Sequence, residues 1–291
     1  MFSGRGTPRW TNGIEERTYT SPLGPLSNTG SAMRMHRLVA PLLLSLGLAL
    51  TGCSGAVEGD EVIASEEGAL SAAEVAATKA QIRAICLPNI ERLDNLPQVR
   101  AQLDPLVAKL ARHYGQRSAT EKLRLVSGAW REIWTDQPFP MLWFRKMDYK
   151  QIYQVVSPNG HYWNLGDDSL LGFLGTTGAL RGKYVPNGTK IELEFTRTGF
   201  RFGKLGKGQD LVKLASDIER GATSIISIPG GGKAPNGPIG IQGSLETVYV
   251  DADMRIDIGN QYDFKDASGK VLTPGIANRL FVLDRVKVPA K

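Results

Sequence analysis

Apolar and polar positions keep two rhythms along this chain. Between residues 71 and 127 the apolar residues recur at helical spacing, and from 128 onwards they alternate. Ser71 with Glu74 three residues on is a capping box, and Ala72, Val75, Ala76, Ile82 and Ile85 fit one helical face that Pro88 ends. Asp104-Pro105 predicts a second helix opening: Asp caps free N–H groups and Pro sits where no donor is needed. Leu106, Val107, Leu110 and Ala111 line its face, and Gly115 ends it. Ser118 and Glu121 form another capping box ahead of Leu123, Leu125 and Val126. The helices are expected to plug or brace a barrel built from the strands after them.

The alternating part begins at Gly128-Ala-Trp-Arg-Glu-Ile-Trp-Thr135. Short strands are predicted at Tyr149–Val156, Gly160–Leu165 and Ala179–Val185, each bounded by Gly, Pro, Asn or Asp. Pro186-Asn-Gly188 turns into Ile191, Leu193 and Phe195, which alternate with Glu192 and Glu194. Thr198-Gly199 reads as a turn before Phe200-Arg-Phe202, and 211–218 as a short helix. The glycine-rich 230–238 reads as a loop. Residues 246–259 read as strand, with Met254, Ile256 and Ile258 on a buried face and Arg255 and Asp257 opposite. Along that strand Asp251, Asp253 and Arg255 share a face, either a salt-bridged outer surface or a head-group contact at a barrel mouth. The polar stretch 261–278 separates it from a last strand, 279–286, where Phe281 and Leu283 point one way and Leu280 and Val282 the other.

Composition adds little to this picture. An apolar content of 42% with 22% charged residues supports a sizeable core. The net charge of +6 falls to about +3 once residues 1–52 are set aside, and no basic cluster stands out, so nucleic-acid binding has no support.

The two ends of the alternating region resemble the plastid lipid-associated protein (fibrillin) family. Tyr249, Asp251, Arg255, Ile256, Gly259 and Leu280-Phe-Val-Leu283 match its C-terminal pattern, and Gly128-x-Trp130 with Trp134-Thr135 its opening strand. Trp134 stands for the usual Tyr, Ile258 replaces the Arg of an Arg-Gly pair, and 261–278 is longer than the family's connection. The resemblance implies an α+β chain, mainly β with N-terminal helices, closed into a lipocalin-like antiparallel barrel. Gly-x-Trp is shared with lipocalins, whose indole packs across the closed end near an Arg of the last strand; Arg285 holds that place here. A lipid, carotenoid or quinone-type ligand is implied, with Trp130, Glu132, Trp134, Phe195, Tyr249, Arg255 and Phe281 as candidate lining. Glu132 shares a face with both tryptophans unless a bulge intervenes.

Before the helices lies an address. Arg34 and Arg37 precede the apolar residues 38–50, and Leu50-Thr51-Gly52-Cys53 resembles a bacterial lipobox. That run is shorter than the roughly 17–25 residues of a membrane span. Residues 1–52 are therefore expected to be a signal region, with 33–52 the lipoprotein signal and 1–32 ahead of a true start at Met33 or Met35. Cys53 is the lipidated anchor, and Ser54 favours the outer membrane, facing the periplasm. Residues 53–70 read as a flexible tether, 71–127 as a helical segment and 128–291 as the barrel.

Catalytic patterns are weak. Of three histidines only His161 falls in the β region, and no His or Cys cluster offers metal ligands. No cofactor or metal is expected. His161 with Asp167 and Asp168 is either an acid–base group or an exposed hairpin, and Cys86 reads as an inert buried thiol. Three functions fit these residues: a membrane-tethered, non-enzymatic carrier of a hydrophobic small molecule; a filled barrel serving as an interaction module of the envelope; or a calycin-type enzyme using His161 or Glu132.

Overall fold

Ser71 and Ser118 each accept a hydrogen bond from the backbone of the third residue of the helix they cap, while Glu74 and Glu121 reach back, so both capping boxes form. They open α1 (Ala72–Cys86) and α3 (Ala119–Val126) in a computed structural model of the chain, which describes residues 70–137, 145–170, 173–227, 233–234 and 237–287. The signal region, Cys53 and nearly all of the tether lie outside the described residues. Ile63–Lys291 form a compact unit by themselves.

Helix α2 departs from expectation. It spans Leu96–Tyr114, with Pro97 in its first turn and Pro105 inside it. Asp104 accepts from Arg100 Nε at 2.5 Å instead of capping. An interior Pro costs about 3 kcal/mol. Val99, Leu103, Val107, Leu110 and Tyr114 are buried along one stripe, and each such side chain contributes roughly 1.5–3 kcal/mol. Burial wins.

The sheet is a closed antiparallel barrel in the order β1-β10-β7-β6-β5-β4-β3-β2. Its strands are β1 (Gly128–Thr135), β2 (Arg145–Ser157), β3 (His161–Leu170), β4 (Leu174–Asn187), β5 (Lys190–Phe202), β6 (Gln242–Val250), β7 (Met254–Gln261) and β10 (Ile276–Arg285). The stretch 261–278 supplies a separate two-stranded ribbon, β8 (Phe264–Lys265) with β9 (Val271–Thr273). Helix α4 (Leu211–Glu219) falls almost where the pattern put it.

Two predicted punctuations move. Thr198-Gly199 is no turn: β5 runs through it, and the missing side chain of Gly199 admits the Ile226 carbonyl, 2.7 Å from where a Cβ would stand. Residues 246–259 are not one strand, because Asp251 accepts from the N–H groups of Asp253 (3.0 Å) and Met254 (2.9 Å) and folds the chain into a turn between β6 and β7. Such local side-chain bonding competes with the ladder.

Helices cover the barrel from outside on two sides. Tyr249, Met254, Ile256, Leu280, Val282 and Trp134 form one outer strip, in a core shared with Ile82, Cys86, Leu103 and Leu110 of α1 and α2. Ala129, Val155, Trp163, Leu165 and Ala179 form the other, beneath Leu211, Leu214, Ala215 and Ile218 of α4. Helix α3 lies across the end where β1 begins. Its Ala119 N–H donates to Gly188 O in the β4–β5 turn at 2.8 Å, and its C-terminus runs into β1.

Candidate functional site: the barrel interior

Closure of this end starts from a glycine. Gly128 has φ +122°, and a Cβ there would stand 2.6 Å from Arg285 Nη1. The bare backbone lets the Arg285 guanidinium lie 3.8 Å from the centre of the Trp130 ring. Arg285 donates through Nη1 to Ser127 O at 2.7 Å and through Nη2 to Leu125 O. The Trp130 indole donates to Val126 O at 2.7 Å. Leu125, Val126 and Ser127 carry carbonyls at the end of α3 that no intrahelical N–H can reach, and a cation also suits the negative end of the helix. The Gly-x-Trp motif and Arg285 thus weld plug to barrel.

Above this seal sits a buried polar layer. Arg255, fully buried, reaches across the lumen from β7 to donate to Gln154 Oε1 on β2 at 3.1 Å, and it pairs with the equally buried Asp257. Thr247 Oγ1 donates to Asp257 Oδ1 at 2.7 Å. Arg255 Nε and Nη1 have no hydrogen-bond partner. Tyr162 on β3 faces the same lumen and donates to Asn164 Oδ1 at 2.7 Å.

Phe281 packs against Gly259, its ring 2.6 Å from where a Cβ would stand. Gly259→Ala is therefore expected to cost about 1–3 kcal/mol by overpacking. The cost should fall when Phe281→Leu is added, as read from urea denaturation midpoints of the four variants in the cycle.

Away from the seal, part of the inner face is less buried. Register puts Leu193, Phe195, Thr198 and Phe200 of β5, Leu180 of β4 and Asn164 of β3 on the same inner face as Gln154, and Leu180, Leu193, Phe195, Thr198 and Asn164 are only half-buried. Their outward neighbours Trp163, Leu165 and Ala179 are buried under α4. β5 pairs with β6 over Ile191–Glu194; past that ladder, Phe195 still exchanges backbone hydrogen bonds with Gly240 and Ile241, and Phe200 bridges Ile226. This half-buried apolar stretch is a cup above the filled polar layer; beyond it on the same inner face, Asp168 and Thr176 are fully buried and hydrogen-bonded to each other.

A second recess lies in the wall. β1 and β2 pair only as far as Arg131–Tyr153, and a bulge falls between Glu132 and Trp134. Beyond it, a cleft of about 10 Å³ is lined by Asn89, Ile90, Leu93, Glu132, Trp134 and Tyr149 among others. Glu132 Oε2 and Trp134 Nε1 are both buried there without a hydrogen-bond partner, and one water would fit the volume. Burial pushes the Glu132 carboxyl up to about 8.

Of the seven lining candidates, Trp130, Glu132, Phe195, Arg255 and Phe281 lie on the inner face. Trp134 and Tyr249 do not: the bulge in β1 and another between Thr247 and Tyr249 turn them outward beneath the helices, where Tyr249 meets Tyr114 edge to face. Arg255 is neither on the outer surface nor at the mouth, because its paired face lines the lumen near the sealed end. Asp251 lies outside, accepting from Lys79 Nζ at 2.6 Å and Tyr249 Oη at 2.5 Å, and so ties α1 to the β6–β7 turn.

His161 heads β3, 2.9 Å from Arg181 and 3.6 Å from Glu219. Asp167 and Asp168 lie at the far end of that strand, bonded to Thr177 and Thr176, so the three form no acid–base group. Cys86 is buried, and desolvation, then Asp284, pushes its thiol up. Among the described residues no His, Cys, Asp and Glu group suits a metal ion, and no helix is long and apolar enough to cross a membrane.

Gln154, Asp257, Thr247, Tyr162 and Asn164 were not legible as interior residues. Asp257 is two residues from Arg255 in one strand; the other four are far from both Trp130 and Arg255 in sequence and carried no such signal. Residues 91–264, more than half of the chain, match the PAP_fibrillin family model. No curated protein matches the chain.

Proposed function

Because the chain belongs to the PAP_fibrillin family, whose name and barrel fit a lipid-associated protein, we propose that it binds a hydrophobic small molecule without transforming it. The carrier is held at a membrane by lipidated Cys53, in a bacterial envelope, on the outer membrane facing the periplasm. One observation carries this reading: the inner wall of Leu180, Leu193, Phe195 and Phe200, most of it half-buried, in a barrel whose other end is sealed. Apolar inner faces with a few polar groups, here Asn164 and Thr198, suit a ligand of lipid, carotenoid or quinone type.

The filled lower half favours a second reading, an interaction module with no ligand, since Trp130, Arg255, Asp257 and Leu283 leave no exposed surface there. Native mass spectrometry with solvent extraction, on the Ile63–Lys291 unit incubated with lipids and quinones, separates the two. The carrier reading expects one apolar molecule per chain. It also expects Leu180→Trp, which fills the cup, to lower uptake by on the order of tenfold, with the far-ultraviolet spectrum unchanged. A clean unliganded mass throughout leaves the module.

A further inference from the structure

The end of the barrel opposite the seal carries an apolar rim that no helix among the described residues covers. Phe173, in the β3–β4 turn, is 81% exposed; Phe202 is 56%, Ile226 45% and Leu174 38% exposed. They are neighbours. Phe202 pairs with Thr176, Phe200 bridges Ile226, and the Phe200 and Phe202 rings meet edge to face at 5.8 Å. Single exposed apolar residues need no explanation, but a contiguous group at one end of a molecule does.

Cations sit just behind the rim. Lys204 and Lys207 are exposed. The stem of Lys204 lies against Gly175, 3.1 Å from where a Cβ would stand, and Gly203 N–H donates to Gly175 O at 3.0 Å. Asp167, an acid that interacts with Lys204, is buried and engaged by Leu205 N–H and Thr177. Gly175 is two residues behind Phe173 along the hairpin, about 7 Å at strand rise. That offset matches the roughly 5–10 Å between the acyl boundary and the headgroups in which interfacial side chains lodge. The order, aromatic at the tip and Lys set back, suits a bilayer bearing anionic headgroups.

The rim lies on the same inner face as the cup, with Gly178 and the buried Thr176–Asp168 pair between Leu174 and Leu180. We propose that Phe173, Leu174 and the end of β5 form a docking edge for an anionic lipid surface, with this end of the barrel held against it. The route this gives a ligand rests on the carrier reading; the docking itself does not.

The test is co-sedimentation of the Ile63–Lys291 unit with vesicles of phosphatidylcholine mixed with phosphatidylglycerol, and of phosphatidylcholine alone. Partition onto the mixed vesicles is expected. Phe173→Ser should weaken it on the order of tenfold, while Phe173→Trp keeps it. Lys204→Glu with Lys207→Glu should remove the preference for the anionic vesicles. Uptake of ligand in vesicle-free solution should not change with Phe173→Ser. No partition by the unaltered unit, or equal partition by Phe173→Ser, overturns the proposal, as does a concentration-dependent dimer that Phe173→Ser abolishes. Failure of ligand uptake alone removes the carrier reading and leaves the docking edge standing.

Discussion

Glu132→Gln is expected to stabilise the barrel at pH 8 by several kcal/mol and to change almost nothing at pH 4. The cause is the buried carboxyl at the β1 bulge, which desolvation holds protonated up to about pH 8 in the folded chain. Unfolded, the same group ionises near its ordinary value of about 4.3. Below that value both states carry the proton, and the residue adds no pH dependence. Between the two values the folded state binds more protons than the unfolded one, so unfolding becomes easier by about 1.4 kcal/mol per pH unit. Above the folded value both are ionised and the penalty is constant, on the order of 5 kcal/mol. Gln keeps the shape and a donor towards the cleft but cannot ionise. Urea denaturation of the two proteins between pH 4 and pH 9 measures this. The gap between their stabilities should widen with pH and then level off. A gap independent of pH would mean that Glu132 is hydrated and charged.

Arg255→Met should cost about 3–5 kcal/mol, the usual penalty for stranding a buried charge. Asp257 would keep Thr247 as a donor but lose the only cation that its fully buried carboxylate pairs with among the described residues. Removing both charges together, with Arg255→Met and Asp257→Leu, should recover much of that loss, because neither desolvated ion then remains. A double-mutant cycle by denaturant melts checks it. A loss below about 1 kcal/mol for the single change would place water at Arg255 and extend the open cup to the sealed end.

The residues of the family motif divide by what each one touches. Tyr249 and Asp251 act outside, holding α1 through Lys79. Arg255 and Phe281 act inside, and Gly259 makes room for Phe281. Gly128 and Trp130 serve Arg285 and the carbonyls of α3. Adjacent letters of one motif therefore do unrelated physical work.

Much of the fold was readable from residues alone. Capping boxes are local chemistry, complete within four residues, so α1 and α3 began where Ser71 and Ser118 said. Strand alternation is equally local, and Gly128-x-Trp with Leu280–Leu283 marked the strands that close the barrel. Helix α2 starts earlier than Asp104-Pro105 implies because a stripe of buried side chains, a tertiary quantity, outweighs the Pro signal at 105.

The identity of the inner face was beyond the sequence. Met254, Ile256 and Ile258 alternate with Arg255 and Asp257 as a half-buried strand should, and the apolar set was expected on a buried face. Met254 and Ile256 are buried, but beneath helices outside the barrel, while the lumen takes the charged pair. A period of two fixes that successive residues oppose each other but is blind to which side encloses space. The bulges at Glu132–Trp134 and Thr247–Tyr249 compound this, since one extra residue swaps the faces of everything beyond it. The sequence by itself determined the caps of α1 and α3, the strand rhythm and the closing residues, because those depend on neighbours within a few positions. Which side chains share the cup, which seal it and which lie beneath helices was decided only when strands far apart in the chain closed into a cylinder with an inside and two covered flanks.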